Sequence, residues 1–263
     1  MSYATSPKGV KMDFVNEIIV AIDEAGIRQE AYSTINTISL CIALLIGIVN
    51  GYKLKVDTLT TIITVLVYYL LSGPIVTAII FIEDGFWISG RQNGVYIFSY
   101  IPLLGYIVSK IIRKSYKEVW DIMMVIPLVM FMGARIACTI TGCCRGYPFS
   151  WGVYNPVARE ILFPIQLLES LASLLILIYV FVREKKRKYV ADGKNVPIIL
   201  IVYGIVRFVL EYLHYEPRAF GFTLMQFHCV FMVFVGLITL RILKRSENKV
   251  ILNTVTDEQS MSA

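Results

Sequence analysis

Six side chains in this sequence have the types and the spacing to do chemistry together. Arg135 stands near the end of the apolar run 118–140. Gln166 and Glu169 stand near the start of the run 163–182, and Arg207, Glu211 and His214 lie in the second half of the run 196–214. The last three are spaced i, i+4, i+7, which puts them on one face of a helix. Two guanidiniums can grip a phosphate through parallel hydrogen bonds and stay charged at any relevant pH. A carboxylate or an imidazole nearby can take a proton. An Arg or Glu within an apolar span costs roughly 2.5–3.5 kcal/mol on insertion scales, and the default reading of such residues is a functional cavity. Plainer roles stand beside that one. Arg207 and Glu211 can be a helix-steadying i,i+4 pair. Arg135 can snorkel to head groups, Glu169 can cap its own helix, and His214 can face the surface at the end of its span.

These residues need elements to carry them. The chain has 263 residues, of which 57% are hydrophobic and 17% charged, with a mean hydropathy of +0.67. A soluble domain averages about 25% charged residues. Long apolar runs alternate here with short charged loops, which is the membrane pattern. Seven spans are expected, at about 33–51, 58–82, 94–112, 118–140, 163–182, 196–214 and 219–242. Each is close to the 17–25 residues that a ~30 Å hydrocarbon core demands. The third is interrupted by Pro102 and Gly105. Lipid requires every backbone group to be bonded within its own segment, so the expected fold is all-α, a polytopic helix bundle. Residues 1–32 read as an interfacial segment, 33–242 as the seven-span domain, and 243–263 as a polar tail that is disordered beyond Asn253. Residues 1–30 carry Asp13, Glu17, Asp23, Glu24 and Glu30, so no basic region leads into an apolar one as in a signal peptide.

Charge sets the orientation. Sixteen Lys and Arg flank one side of the spans: Lys53 and Lys55, four residues from Lys110 to Lys117, six from Arg183 to Lys194, and four from Arg241 to Lys249. The other side carries seven: Lys8, Lys11, Arg28, Arg91, Arg145, Arg159 and Arg218. The positive-inside rule then puts the N-terminus outside and the C-terminus inside. The net charge of +6 thus reflects topology and contact with anionic lipid rather than a nucleic-acid partner. In that orientation Arg135, Gln166, Glu169, Arg207, Glu211 and His214 share one depth near the outer face. The abundant phosphate at that level belongs to phospholipid head groups, and such a site would admit a lipid laterally.

Of five cysteines, Cys41 and Cys229 sit inside spans, where Cys behaves as a small hydrophobe. Cys138, Cys143 and Cys144 collect at the outer end of the fourth span. No adjacent His or paired CxxC supplies further metal ligands, so no metal is expected there. A disulfide between Cys143 and Cys144 would be strained, whereas one from Cys138 is conceivable. The cluster reads first as packing and turn structure, with a reactive thiol as the alternative. Tyr147, Phe149, Trp151 and Tyr154 in the loop 145–162 fit an interfacial aromatic belt.

The stretch Gly133-Ala-Arg-Ile-Ala-Cys-Thr-Ile-Thr-Gly142-Cys-Cys-Arg-Gly146 resembles the signature of the prolipoprotein diacylglyceryl transferase family, in its Gly-Cys-Cys-x-Gly form. Phe163-Pro-Ile-Gln-Leu-Leu-Glu-Ser170 resembles that family's Pro-x-Gln-Leu-x-Glu opening of the next span. Tyr203-Gly-Ile-Val-Arg-Phe-Val-Leu-Glu211 resembles its Arg-Phe-x-x-Glu segment, and Gly221-Phe-Thr-Leu-Met-Gln226 the start of its last span. The resemblance covers roughly residues 30–242.

What the resemblance implies is a bacterial cytoplasmic-membrane enzyme working near the outer face. It would move the sn-1,2-diacylglyceryl group of phosphatidylglycerol onto the lipobox Cys thiol of a lipoprotein precursor, releasing glycerol-1-phosphate, with no cofactor. Arg135 and Arg207 would bind the phosphate and stabilise the leaving group. Gln166, Glu169 and Cys143 would line the lipid site. Glu211 or His214 would take the thiol proton, with Glu211 favoured because it shares a helical face with Arg207. Tyr32, before the first span, is a further match. The chain departs from one well-known form of the signature, which has Asn and Glu where Cys138, Thr141 and Cys143 stand. That form also has a His in the third span, where Asn93–Tyr100 has none. The competing readings are a divergent relative without this activity and a lipid-binding or transport protein.

Overall fold

A computed structural model describes residues 14–83, 96–215 and 221–261. Among them the chain is helical apart from one short hairpin. A short helix α1 (Phe14–Glu24) precedes α2 (Arg28–Lys53), α3 (Thr58–Glu83), α4 (Tyr96–Ile111), α5 (Tyr116–Met123) and α6 (Val125–Thr141). The hairpin β1 (Pro148–Asn155) and β2 (Glu160–Leu162) follows, then α7 (Ile165–Lys186), α8 (Asn195–Leu210) with a 3-10 turn at Glu211–Leu213, and α9 (Leu224–Met261). Among the described residues six helical segments are long and apolar enough to cross a membrane, α5 and α6 counting together as one. The expected third span is α4, which at 16 residues is shorter and extends only about 24 Å at the α-helical rise.

The expected fourth span proves to be two helices that meet at Met124. Pro127 is the cause: it has no N–H for the Met123 carbonyl, and its ring crowds that group. The expected interfacial segment is in part helical, since α1 lies within it and α2 starts at Arg28 rather than residue 33. Its Asn16 is buried and accepts a hydrogen bond from the Tyr154 backbone N–H at 2.7 Å. At the other end, α9 continues to Met261 through the stretch expected to be disordered beyond Asn253. No Gly or Pro lies between residues 243 and 261 to stop it.

α6 is the centre of the bundle, packed between α2 and α7. The contact with α2 is close because Gly133 faces Ser39: a Cβ at Gly133 would stand 1.7 Å from the Ser39 hydroxyl oxygen. Small residues at a helix crossing let backbones approach in this way. The buried core includes Phe98, Ile101, Ile122, Met123, Ile126, Leu128 and Tyr203, while Leu45, Leu66, Leu175 and Phe234 point outward as lipid-facing positions do.

The Lys- and Arg-rich end of the bundle is tied by its own polar network. Asp121 accepts from the backbone N–H groups of Gly193 at 2.8 Å and Asn195 at 3.2 Å. The Asn195 side-chain amide donates to Glu184 Oε1 at 2.6 Å, and Arg183 donates to Asn195 Oδ1 at 2.7 Å and Asp192 at 2.5 Å. Asp192 also pairs with Arg187. These bonds fix how α5, α7 and α8 meet, and so hold the far ends of the helices that carry the site.

Candidate active site

The site lies at the opposite end, where α6 finishes, α7 starts, α8 finishes and α9 starts. α6 stops at Gly142, which adopts φ +68° and donates its N–H to the Cys138 carbonyl at 2.9 Å. That left-handed cap favours glycine and turns the chain back over the last turn of the helix. The hairpin then returns it to α7. Asn155 pins the two parts together: its amide donates to the carbonyls of Gly142 at 3.1 Å and Cys144 at 3.2 Å. Its Oδ1 accepts from Val157 N at 3.0 Å and Ala158 N at 2.8 Å. Gln166 adds a bond from its amide to the Cys144 carbonyl at 2.7 Å. Gly146 pairs with His214 in an isolated β-bridge, joining the turn to the end of α8.

Glu169 occupies the middle. It is 1% exposed. Its Oε2 lies 2.6 Å from Arg135 Nε, and its Oε1 lies 2.5 Å from Arg207 Nη1 and 3.0 Å from His214 Nε2. Arg207 Nη1 also lies 2.6 Å from Glu211 Oε2. The other oxygen of Glu211 accepts from the Thr223 hydroxyl at 2.9 Å. Thr223 is held in turn by Gln226, whose Oε1 accepts the Thr223 N–H at 2.9 Å and whose amide donates to the Phe208 carbonyl at 3.3 Å. Two arginines and two glutamates thus balance to zero formal charge. Burial of ions is tolerated only when they are paired in this way.

The pairs are close, but their N–H vectors are not all aligned on the oxygens. Arg135 Nε, Arg207 Nη1, Glu169 Oε2 and Glu211 Oε2 form charge contacts without a directed hydrogen bond, and the buried Arg207 Nε makes no hydrogen bond. The guanidinium N–H groups among them retain donor capacity for an oxyanion. The Arg135 guanidinium lies over the Phe131 ring, 4.4 Å from its centre, as cations favour aromatic faces. Beneath it Phe98 stacks on Tyr203 at 4.9 Å, with Phe131 edge-on to Tyr203 at 5.5 Å. This aromatic floor closes the apolar side of the ion network.

Arg135, Glu169, Arg207, Glu211 and His214 therefore come together in one network. His214 is buried against Glu169 rather than at the surface. Glu169 bridges three partners rather than capping its own helix. Gln166 faces the turn backbone. Cys143 is exposed and Cys144 half-buried, while Cys138 is buried, and the three thiol sulfurs lie within 4.8 Å of one another. Arg135 Nη1 donates to Cys144 Sγ at 3.6 Å, linking the thiols to the ions. The neighbouring Cys138 and Cys144 thiols, with help from Arg135, hold the Cys143 thiol well below its ordinary pKa. Tyr32 is half-buried near the same thiols, and its hydroxyl bonds to the Asn36 side chain. Asn93 lies outside the described residues. Asn155 and Thr223 were not singled out by sequence reasoning. The Asn155-Pro156 dipeptide, a turn signal, could have marked the first, and the spacing to Gln226 offers nothing comparable for the second.

The family model of prolipoprotein diacylglyceryl transferase matches residues 17–242 of the chain. The chain belongs to that family. A phosphatidylglycerol–prolipoprotein diacylglyceryl transferase of Campylobacter hominis is 29% identical over 177 residues, covering 61% of this chain and 62% of the relative. One of Clostridium perfringens, numbered 2, is 29% identical over 150 residues, 51% and 58% of the two chains. One of Clostridium tetani is 26% identical over 142 residues, 48% and 56%. The matches thus span about three-fifths of the length of these curated relatives. The family match includes every member of the ion network, from Arg135 to His214, together with Thr223 and Gln226.

Proposed function

We propose that this chain is a phosphatidylglycerol–prolipoprotein diacylglyceryl transferase of the bacterial cytoplasmic membrane, with its N-terminus outside and its site near the outer face. The observation that carries this reading is the buried ion network of Arg135, Glu169, Arg207, Glu211 and His214, gathered from three helices in a member of that family. The Lys and Arg count of the loops supports the orientation, because the network lies at the end opposite the basic loops.

In the proposed reaction the lipobox Cys thiolate attacks the sn-3 carbon of the diacylglyceryl group, which carries the phosphate of phosphatidylglycerol. A C–S bond forms, the C–O bond to phosphate breaks, and glycerol-1-phosphate leaves. Arg135 and Arg207 stabilise the charge gathering on the leaving phosphate, where preorganised donors act most strongly. The glutamates keep both guanidiniums in place before the lipid arrives. The thiol proton passes to Glu211, with His214 as the other acceptor within the network; deprotonation is required because the thiolate is the nucleophile.

The test is transfer by the purified chain in phosphatidylglycerol vesicles with a lipobox peptide, read by mass spectrometry. A peptide carrying diacylglyceryl as a thioether, absent with a Cys→Ser peptide, is the expected result. Phosphatidylglycerol binding without product would overturn the reading in favour of a lipid-binding relative.

A further inference from the structure

The three cysteines at the end of α6 have an arrangement that packing does not explain. Side chains that merely fill a turn bury their sulfurs, yet Cys143 is exposed and Cys144 only half-buried. All five cysteines are free thiols. The Gly142 cap folds Cys143 and Cys144 back over Cys138, so that residues separated by five positions in sequence converge. The Cys143 and Cys144 sulfurs are 3.7 Å apart, and all three lie within 4.8 Å of one another. In a tetrahedral site with metal–sulfur bonds of about 2.3 Å, the sulfurs are about 3.8 Å apart. One pair already matches that spacing, and the third sulfur needs to move by no more than about 1 Å.

We propose that Cys138, Cys143 and Cys144 form a site for a thiophilic divalent cation of the Zn2+ class, with the fourth coordination position open. The sequence offered no spaced ligand pair; the left-handed turn at Gly142 creates one. The surroundings suit the charge. Three thiolates on a divalent cation leave one net negative charge, and Arg135 Nη1 already donates to Cys144 Sγ at 3.6 Å. Such outer contacts orient and tune metal ligands. The Cys144 backbone is held from two sides, by Asn155 and Gln166, so the ligand set is positioned before any ion arrives. Because Arg135 also contacts Glu169, occupancy of this site would be felt in the ion network. That last consequence alone rests on the transferase reading above.

The experiment is a titration of the reduced, purified full chain in detergent with Cd2+, followed by ultraviolet sulfur-to-metal charge transfer. The expected result is saturation at one equivalent, with the band lost in Cys138→Ser, Cys143→Ser and Cys144→Ser and kept in Cys41→Ser. In the folded protein the ion should protect Cys143 and Cys144 from thiol labelling. Absence of the band, or its survival in Cys143→Ser, overturns the site. Cys143 is exposed, so that variant decides the matter even where Cys138→Ser fails to fold. Transfer activity measured in parallel separates the two readings. Transfer without Cd2+ binding removes the metal site alone, and Cd2+ binding without transfer removes the transferase reading alone.

Discussion

Arg207 meets Glu169 at 2.5 Å inside the bundle, each of them more than nine-tenths buried. The contact joins α8 to α7 and makes a carboxylate the organiser of the guanidiniums. Replacing Glu169 by Gln keeps the shape and removes the charge. Arg135 and Arg207 are then left facing each other across a neutral amide. Breaking one side of a buried ion pair costs about 3–5 kcal/mol. The Glu169→Gln protein is expected to unfold at lower temperature in a detergent thermal-shift assay, and to lose transfer. An unchanged melting profile would show that the charge at this position is dispensable.

The arginines differ from lysines in a way that this geometry exploits. Arg207 Nη1 is shared between Glu169 and Glu211, and its Nε is still without a directed bond. A lysine ammonium offers a single charged point and cannot hold two carboxylates while presenting a further planar donor. Arg207→Lys should therefore insert into the membrane normally but transfer at least about 100-fold more slowly, the usual loss when one preorganised donor is removed. Arg207→Ala should abolish transfer. Initial rates with lipobox peptide check both, and a Lys variant near the parental rate would remove the bidentate role.

Much of the architecture could be read from the sequence because apolar runs near the thickness of a bilayer have few other uses. The ends of α3 fall within one residue of expectation, and those of α2 within five. What escaped was what one side chain does to another. The Pro127 break depends on a single missing N–H. The hairpin 148–162 looked like an aromatic loop, and indeed Tyr147, Phe149 and Trp151 are exposed, whereas Tyr154 is buried beside Asn16. In the site, the i, i+4, i+7 pattern of Arg207, Glu211 and His214 showed which residues share a face. It could not show that Glu169, from another helix, would take two of them. The sequence grouped Cys138, Cys143 and Cys144 at the end of the fourth span but did not show the convergence of their sulfurs to within 4.8 Å of one another, because linear spacing carries no record of the turn at Gly142.

Asn155 is expected to matter more than its place in a loop suggests. It is buried and makes four hydrogen bonds, two of them to the turn that carries Cys143 and Cys144. At about 1 kcal/mol net for each bond, Asn155→Ala should cost about 2–4 kcal/mol of stability. It should also free the turn, so that Cys143 and Cys144 react faster with a water-soluble maleimide than in the parent. Equal labelling rates would show that Gln166 alone holds the turn.

The crossing of α2 and α6 gives a test that depends on shape alone. A methyl at Gly133 would stand 1.7 Å from the Ser39 hydroxyl oxygen and 2.4 Å from its Cβ, with the Ser39 Cα at a comfortable 3.7 Å. Gly133→Ala thus overpacks the contact, at a cost of about 1–3 kcal/mol, and pushes apart the two helices whose ends carry Tyr32 and Arg135. Ser39→Gly removes both clashing atoms while leaving the backbone in place. The double variant Ser39→Gly, Gly133→Ala should therefore recover most of the stability that Gly133→Ala loses, since neighbouring substitutions are not additive when they share a contact. Thermal unfolding of the four proteins in one detergent measures this coupling. Additive losses would mean that the helices do not approach through this pair.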